Sequence, residues 1–189
     1  MQQKIAYLLT GTAPVRFHNG VLMDPLSEAA KGIKKISGKR NKTDADYEEI
    51  GKLEWYGSLY VDGGRVVIPD RCVEATLING AKKSKKGIQA KAGMLCDGHA
   101  VLQYDGPHDI DELWEDKRFV ARVPMRVKNS GVIRTLPHFA SWKAEVRIVF
   151  DDKMLNATDI DSFLVAGGEI VGICEGRPRF GRFTSSRIK

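Results

Sequence analysis

Trp142-Lys143-Ala144-Glu145-Val146-Arg147-Ile148-Val149-Phe150 decides the fold class. Trp142, Ala144, Val146, Ile148 and Phe150 take one face, and Lys143, Glu145 and Arg147 take the other. A side-chain period of two belongs to a β-strand, and a single apolar face means that one side is buried. Residues 119–128 carry the same pattern. Phe119, Ala121, Val123, Met125 and Val127 alternate with Arg122, Arg126 and Lys128. The segment between the two, 129–141, is long for a hairpin loop and contains Arg134 and His138.

Downstream, Thr158 and Asp161 form a capping signal for a helix over 158–166. Ile160, Phe163 and Leu164 are its buried stripe, and Gly167-Gly168 ends it. Residues 170–173 predict a short strand and 180–188 the last one. Upstream, the apolar run 5–12 is stopped by Gly11 and Pro14 and predicts a first buried strand. Pro69 and Asp70 open a helix that reaches Lys83, with Val73, Leu77, Gly80 and Ala81 on one stripe. Gly80 lets that helix approach a sheet closely. The order is strand, helix, strand, strand, helix, strand, on 5–12, 70–83, 119–128, 142–150, 158–166 and 180–188. That is the α+β, ferredoxin-like (RRM-like) βαββαβ order.

Two insertions, at about 13–68 and 87–117, decorate this single domain of 189 residues. The first holds a helix over 25–35 and a basic loop over 37–42. A second helix runs from Thr43 to about Leu53, with Asp46 three residues after the cap. A hairpin of 55–61 with 65–68 follows, turned by Asp62-Gly63-Gly64. The second insertion holds a glycine-punctuated stretch at 87–98, a short strand at 99–104 and a short helix at 110–114.

Hydrophobic residues make up 42% and charged residues 29%, which supports a core and excludes wholesale disorder. The net charge of +6 is modest; its placement is more informative. Lys31, Lys34, Lys35, Lys39, Arg40 and Lys42 form one acid-free run; Lys82, Lys83, Lys85, Lys86 and Lys91 form another. Arg177, Arg179, Arg182, Arg187 and Lys189 form a third. Acids gather instead at 44–54 and 105–116. Such clustering gives a surface potential that attracts phosphate. Cys72, Cys96 and Cys174 show no CxxC spacing and read as reduced, partly buried thiols. The N-terminus has no basic-then-apolar leader, and no apolar run approaches a spanning length, so the expectation is a cytoplasmic protein with no membrane partner.

Ile68-Pro69-Asp70-Arg71-Cys72-Val73-Glu74-Ala75 resembles the Ile-Pro segment that opens the first helix in the RAMP superfamily. These are the RRM-like backbone proteins of CRISPR effector complexes. Met23-Asp24-Pro25 matches the family's Asp-containing loop in Asp-Pro alone. Gly168-Glu169-Ile170-Val171-Gly172, with Gly176-Arg177-Pro178-Arg179-Phe180-Gly181-Arg182-Phe183, is similar to its glycine-rich loop before the last strand. Where the family follows Ile-Pro with Gly and Ser, this chain has Asp70-Arg71. The resemblance, to that family or to a phage or mobile-element relative, implies binding of RNA or of a single strand. It also implies head-to-tail self-assembly.

Arg177, Arg179 and Arg182 are the leading candidates, because guanidinium forks suit phosphate and glycine allows close backbone approach. Phe180 and Phe183 either stack bases or belong to the core. Lys82, Lys83, Lys85 and Lys86 end a helix, where the dipole favours cations with or without a ligand. Lys39 and Arg40 lie in a loop that either orders on binding or stays solvated. Arg122, Arg126, Lys143 and Arg147 make a basic sheet surface if their strand faces coincide; otherwise they form cross-strand pairs. Arg134 completes the set. His18, His99, His108 and His138 lack HExxH or HxH spacing and an adjacent nucleophile, so no catalytic residue, metal or cofactor is expected. The expected function is a nucleic-acid-binding protein that coats single-stranded RNA or DNA as a head-to-tail oligomer. The alternatives are a structural subunit of a viral or multi-protein complex, and a ribonuclease using Asp24 or His18.

Overall fold

In chain order the elements are β1 (Gln2–Gly11), β2 (Val15–Arg16), α1 (Glu28–Ser37), α2 (Asp44–Ser58), β3 (Val61–Asp62), β4 (Arg65–Ile68), α3 (Asp70–Ala81) and α4 (Gly87–Gly93). There follow β5 (Met94–Cys96), β6 (Ala100–Gln103), α5 (Ile110–Glu115), β7 (Val120–Val127), β8 (Ser130–Phe139), β9 (Lys143–Asp151), α6 (Ala157–Ala166) and β10 (Phe183–Ile188). The structure, a computed structural model, describes residues 1–127 and 130–188. Lys128, at the end of an expected strand, Asn129, at the start of the expected connection, and Lys189, in the last basic run, lie outside the described residues.

The chain forms an α+β structure of two compact units. Met1–Arg16, Val61–Asp105 and Ala140–Lys189 make the first; Phe17–Tyr60 and Gly106–Phe139 make the second.

The first unit is built on a sheet with strand order β10-β1-β9-β6-β4-β3, and β5 also pairs with β9. The pairings are antiparallel. Alternation places Tyr7, Leu9, Ala144, Val146, Ile148 and Phe183 on one buried face. Lys143, Glu145, Arg147, Thr184 and Ser186 are exposed on the other. On the buried side the Tyr7 hydroxyl donates to Asp161 Oδ1 of α6 at 2.7 Å, and Cys96 N–H donates to Glu74 Oε1 of α3 at 2.9 Å. Burying Ile160, Phe163 and Leu164 of α6 contributes about 2 kcal/mol each.

Gly63 (φ 54°) and Gly64 (φ 75°) turn the β3–β4 hairpin as expected, since two successive positive φ angles define the tight turn that matches strand twist. Gly80 also has a close-approach role, but against a helix rather than a sheet. A Cβ there would meet the carbonyl oxygen of Phe163 and lie 3.0 Å from Gly167 N.

Residues 119–128 do not join this sheet. They form β7, which pairs with β8 from Val120↔Pro137 to Val127↔Ser130. Besides β1, the strands paired with β9 are β5 and β6; β6 is the short strand expected at 99–104, whereas β5 comes from the glycine-punctuated stretch at 87–98. Alternation reports one buried face; it does not report which strand lies alongside. Residues 129–141, expected as a connection, hold β8. Its Pro137, and Pro124 in β7, are residues that usually argue against a strand.

In the second unit, α2 runs on to Ser58, so the expected strand at 55–61 shrinks to Val61–Asp62. Gly51, Glu54, Trp55 and Ser58 are buried. Their spacing of i, i+3, i+4 and i+7 is helical, although Trp, Tyr and Leu nearby look strand-like. Thr43 and Asp46 make the expected capping box. Trp55 Nε1 donates to Phe119 O at 2.9 Å, and Phe139 packs near both Phe17 and Phe119 at 5.4 and 5.5 Å between ring centroids. In the first unit the cap of α6 is Asn156 with Asp159, two residues before the expected Thr158 and Asp161. Residues 167–171 form a wide helical turn where a strand at 170–173 was expected.

Gly80→Ala is expected to lower stability by about 2 kcal/mol through overpacking. Urea unfolding followed by circular dichroism measures it, and an unchanged midpoint would contradict the helix-on-helix approach.

Candidate functional site

The segment from Gly172 to Arg182 connects α6 to β10 and is held by its backbone. Gly172, Gly176 and Gly181 have φ of 78°, 79° and 69°, and Cys174 joins them at 61°. Only glycine adopts this region without cost, so Cys174 is unusual there. At Gly181 a Cβ would lie 2.7 Å from Ile173 N, so a side chain has no room. Ile173 N–H donates to Gly181 O at 2.9 Å, and Phe180 N–H donates to Gly176 O at 3.1 Å. Gly181 N–H donates to Pro14 O at 2.8 Å, and Glu175 N–H donates to Arg16 O at 3.0 Å. The Arg177–Pro178 peptide is cis.

This frame leaves Arg177, Pro178, Arg179 and Arg182 exposed. Arg182 Nε donates to Pro178 O at 2.9 Å. A fourth arginine joins them. The Arg16 guanidinium lies 3.7 Å from the centroid of the Phe180 ring. Burial, and then the like charge of Arg179, pull its pKa below the usual arginine value. The ring of Phe180 is half-buried and Arg16 covers one of its faces. Phe183 is a core residue, packed edge-on near Trp142 at 6.2 Å. Sequence reasoning missed Arg16, because the signal is its placement over Phe180 and not its neighbours in the chain.

On the exposed sheet face, Thr184, Thr10, Lys143 and Gln103 share one cross-strand row. Lys143 stands exposed in it. Arg147 pairs with Glu145 of its own strand at 3.0 Å. Arg122 and Arg126 are exposed on β7, which belongs to a different sheet from β9, so the four do not form one basic sheet surface.

The lysines after α3 divide. Lys86 pairs with Asp159 at 2.7 Å, and Lys82 Nζ donates to Asn79 Oδ1 at 2.9 Å. Lys82, Lys83 and Lys85 are exposed. In the second unit Lys39 pairs with Asp46 at 2.6 Å and holds that carboxyl below its usual pKa; Arg40 is exposed. Arg134 forms an ion pair with Glu54, which also accepts from Thr135 N–H at 2.9 Å. With Glu54 only 3% exposed, Arg134 is part of the unit's interior bonding.

Asp24 Oδ1 accepts from Leu26 N–H at 2.9 Å in a turn, and His18 Nδ1 is buried without a hydrogen-bond partner. Among the described residues, no group of three or more His, Cys, Asp and Glu side chains is placed to hold a metal. No helix among them is long and apolar enough to cross a membrane. Set against models of protein families and against curated proteins, the chain matches none.

Arg134→Met is expected to cost about 3 kcal/mol by stranding a buried carboxylate, whereas Arg122→Met should stay within about 0.5 kcal/mol. Urea unfolding of both variants checks this. Equal, small effects would show that Arg134 does not serve the interior.

Proposed function

We propose that the chain binds single-stranded RNA or DNA along the 172–182 loop and the exposed face of β1, β9 and β10, and that copies assemble head to tail on the strand. The observation that carries this reading is the gathering of Arg16, Arg177, Arg179 and Arg182 at one backbone-held loop. Guanidinium groups fork onto phosphate oxygens, and a rigid backbone presents them without a large ordering cost. Lys143 and its polar row supply a second, weaker cationic stretch on the strand face.

The finer fold reading goes with it. Strand order β10-β1-β9-β6, with α3 following β4 and preceding β5 and β6, and α6 between β9 and β10, supports a ferredoxin-like, RRM-like core. The RAMP resemblance gains support from position. Ile68-Pro69 opens α3, and the glycine-rich segment connects α6 to β10.

A second reading, a subunit that docks on protein, draws on one feature. Ala75, Ile78 and Ile88 line a groove of about 1010 Å³ together with Lys82, Lys85 and Lys91, and Ile88 is 86% exposed.

Anisotropy of labelled single-stranded RNA and DNA, titrated against salt, tests the first reading. Arg177→Ala with Arg179→Ala should flatten the salt slope by about 1.4, two phosphates at about 0.7 each. Absence of binding to either oligonucleotide at low salt would overturn the reading, and sedimentation as an assembly indifferent to oligonucleotide would favour the second.

A further inference from the structure

Thr76 joins α3 to the root of the arginine loop. Its hydroxyl lies 2.9 Å from Cys72 O and 3.1 Å from Gly172 O, so it donates into the gap between two carbonyls. This contact ties the main chain of Cys72, in the first turn of α3, to that of Gly172, two residues before Cys174. Each thiol is the largest single influence on the protonation of the other, and both are partly accessible. Arg71 from α3 and Arg177 from the loop also act on Cys72, and Arg177 and Glu175 act on Cys174.

We propose that Cys72 and Cys174 form a thiol modification site that hydroperoxides oxidise to a disulfide, cross-linking α3 to the base of the arginine loop. The chemistry starts at Cys72. The first turn of a helix, two guanidinium groups and a neighbouring thiol all favour a thiolate there. Together they pull its pKa down to about 7, the Cys174 thiol contributing most, against the opposing effect of burial. Cys174 moves the other way, raised by the Cys72 thiol and by burial. Cys72 is therefore the attacking sulfur and Cys174 the resolving one.

The Cys72 thiolate attacks a peroxide oxygen, breaking the O–O bond and releasing hydroxide or alkoxide. That leaves a sulfenic acid on Cys72. The Cys174 sulfur then attacks the sulfenic sulfur, the S–O bond breaks, the S–S bond forms, and water leaves with the thiol proton. Two thiols lose two electrons in total, and one hydroperoxide gains them. Cys96 serves as an internal comparison: it is buried, Glu74 and Asp70 lie near it, and its pKa is pushed up to about 12, chiefly by burial. The site does not depend on what the arginine loop binds.

Peptide mapping of the full chain after hydrogen peroxide, without reductant, reads the linkage. The expected product is a Cys72–Cys174 cross-link with loss of about 2 Da. Cys174→Ser should instead accumulate a dimedone-trappable sulfenic acid on Cys72, and Cys72→Ser should give neither product. Iodoacetamide labelling against pH should rise with a midpoint near 7 at Cys72 and far higher at Cys96. In the cross-linked protein, amide exchange over 173–181 should slow roughly fivefold, as expected when local opening is restrained. Absence of the cross-link, or Cys72 labelling no faster than Cys96 at neutral pH, would overturn the assignment. A cross-link that leaves loop exchange unchanged would overturn the proposed clamp on the loop.

Discussion

β1 has hydrogen-bonded neighbours along both of its edges, and the first unit depends on that constraint. Residues 2–10 pair with 151–143 of β9, and residues 6–11 pair with 188–183 of β10. The register is forced. A slip of one residue would bring Lys143, Glu145 and Arg147 to the face now filled by Ala144, Val146 and Ile148. Burying three charged side chains without partners costs more than any strand pairing returns. Trp142 fixes the end of the register. Its indole lies where a Cβ on Gly11 would be, and its Nε1 donates to Ala13 O at 2.9 Å.

The same strand positions the arginine loop. Beyond Gly11 the chain stops pairing as a strand but keeps donating and accepting. Thr12 N–H donates to Arg182 O at 2.8 Å, and Pro14 O accepts from Gly181 at 2.8 Å. The loop is thus fixed through main-chain groups, and its guanidinium groups stay at the surface. The other basic candidates contrast with it. Lys39, Lys86, Arg134 and Arg147 each meet a carboxylate, which explains their positions without any ligand. Exposed pairs such as Arg147 with Glu145 are worth little to stability.

Local chemistry was legible in the sequence. The alternation at 142–150, the Thr43–Asp46 capping box and the Gly63-Gly64 turn are each settled by residues within a few positions, and each stands in the structure as expected. What failed was long-range or masked. The strand at 119–128 exists, but its partner is its own hairpin mate; the strand expected at 99–104 stands as β6, yet that it pairs with β9 is a long-range fact no local pattern carries. Trp55 and Tyr56 look like strand residues until Gly51, Glu54 and Ser58 are counted with them on a helical face. Of the candidate site, Arg177, Arg179 and Arg182 were readable as an acid-free cluster between glycines. Arg16 over Phe180 and Cys72 beside Cys174 are separated by about a hundred residues or more, and no local pattern announces either.

The charge cluster has its own energetic logic. Arg16 is partly desolvated, and Arg179 stands near enough to depress its pKa further. Both effects disfavour the charged form, so the folded chain holds this group at some expense. The Phe180 ring recovers part of it, because a guanidinium over an aromatic face is attracted by the ring quadrupole. The residual strain is electrostatic and has one sign. An anion with several oxygens relieves it, and relieves it most where the guanidinium groups cannot swing apart. The main-chain bonds to Pro14 and Arg16 hold the backbone that carries Arg177, Arg179 and Arg182. A flexible loop of equal charge would disperse in solvent and pay the ordering entropy again on binding. The proposed affinity for a phosphate backbone therefore follows from the rigidity of the loop as much as from its arginines.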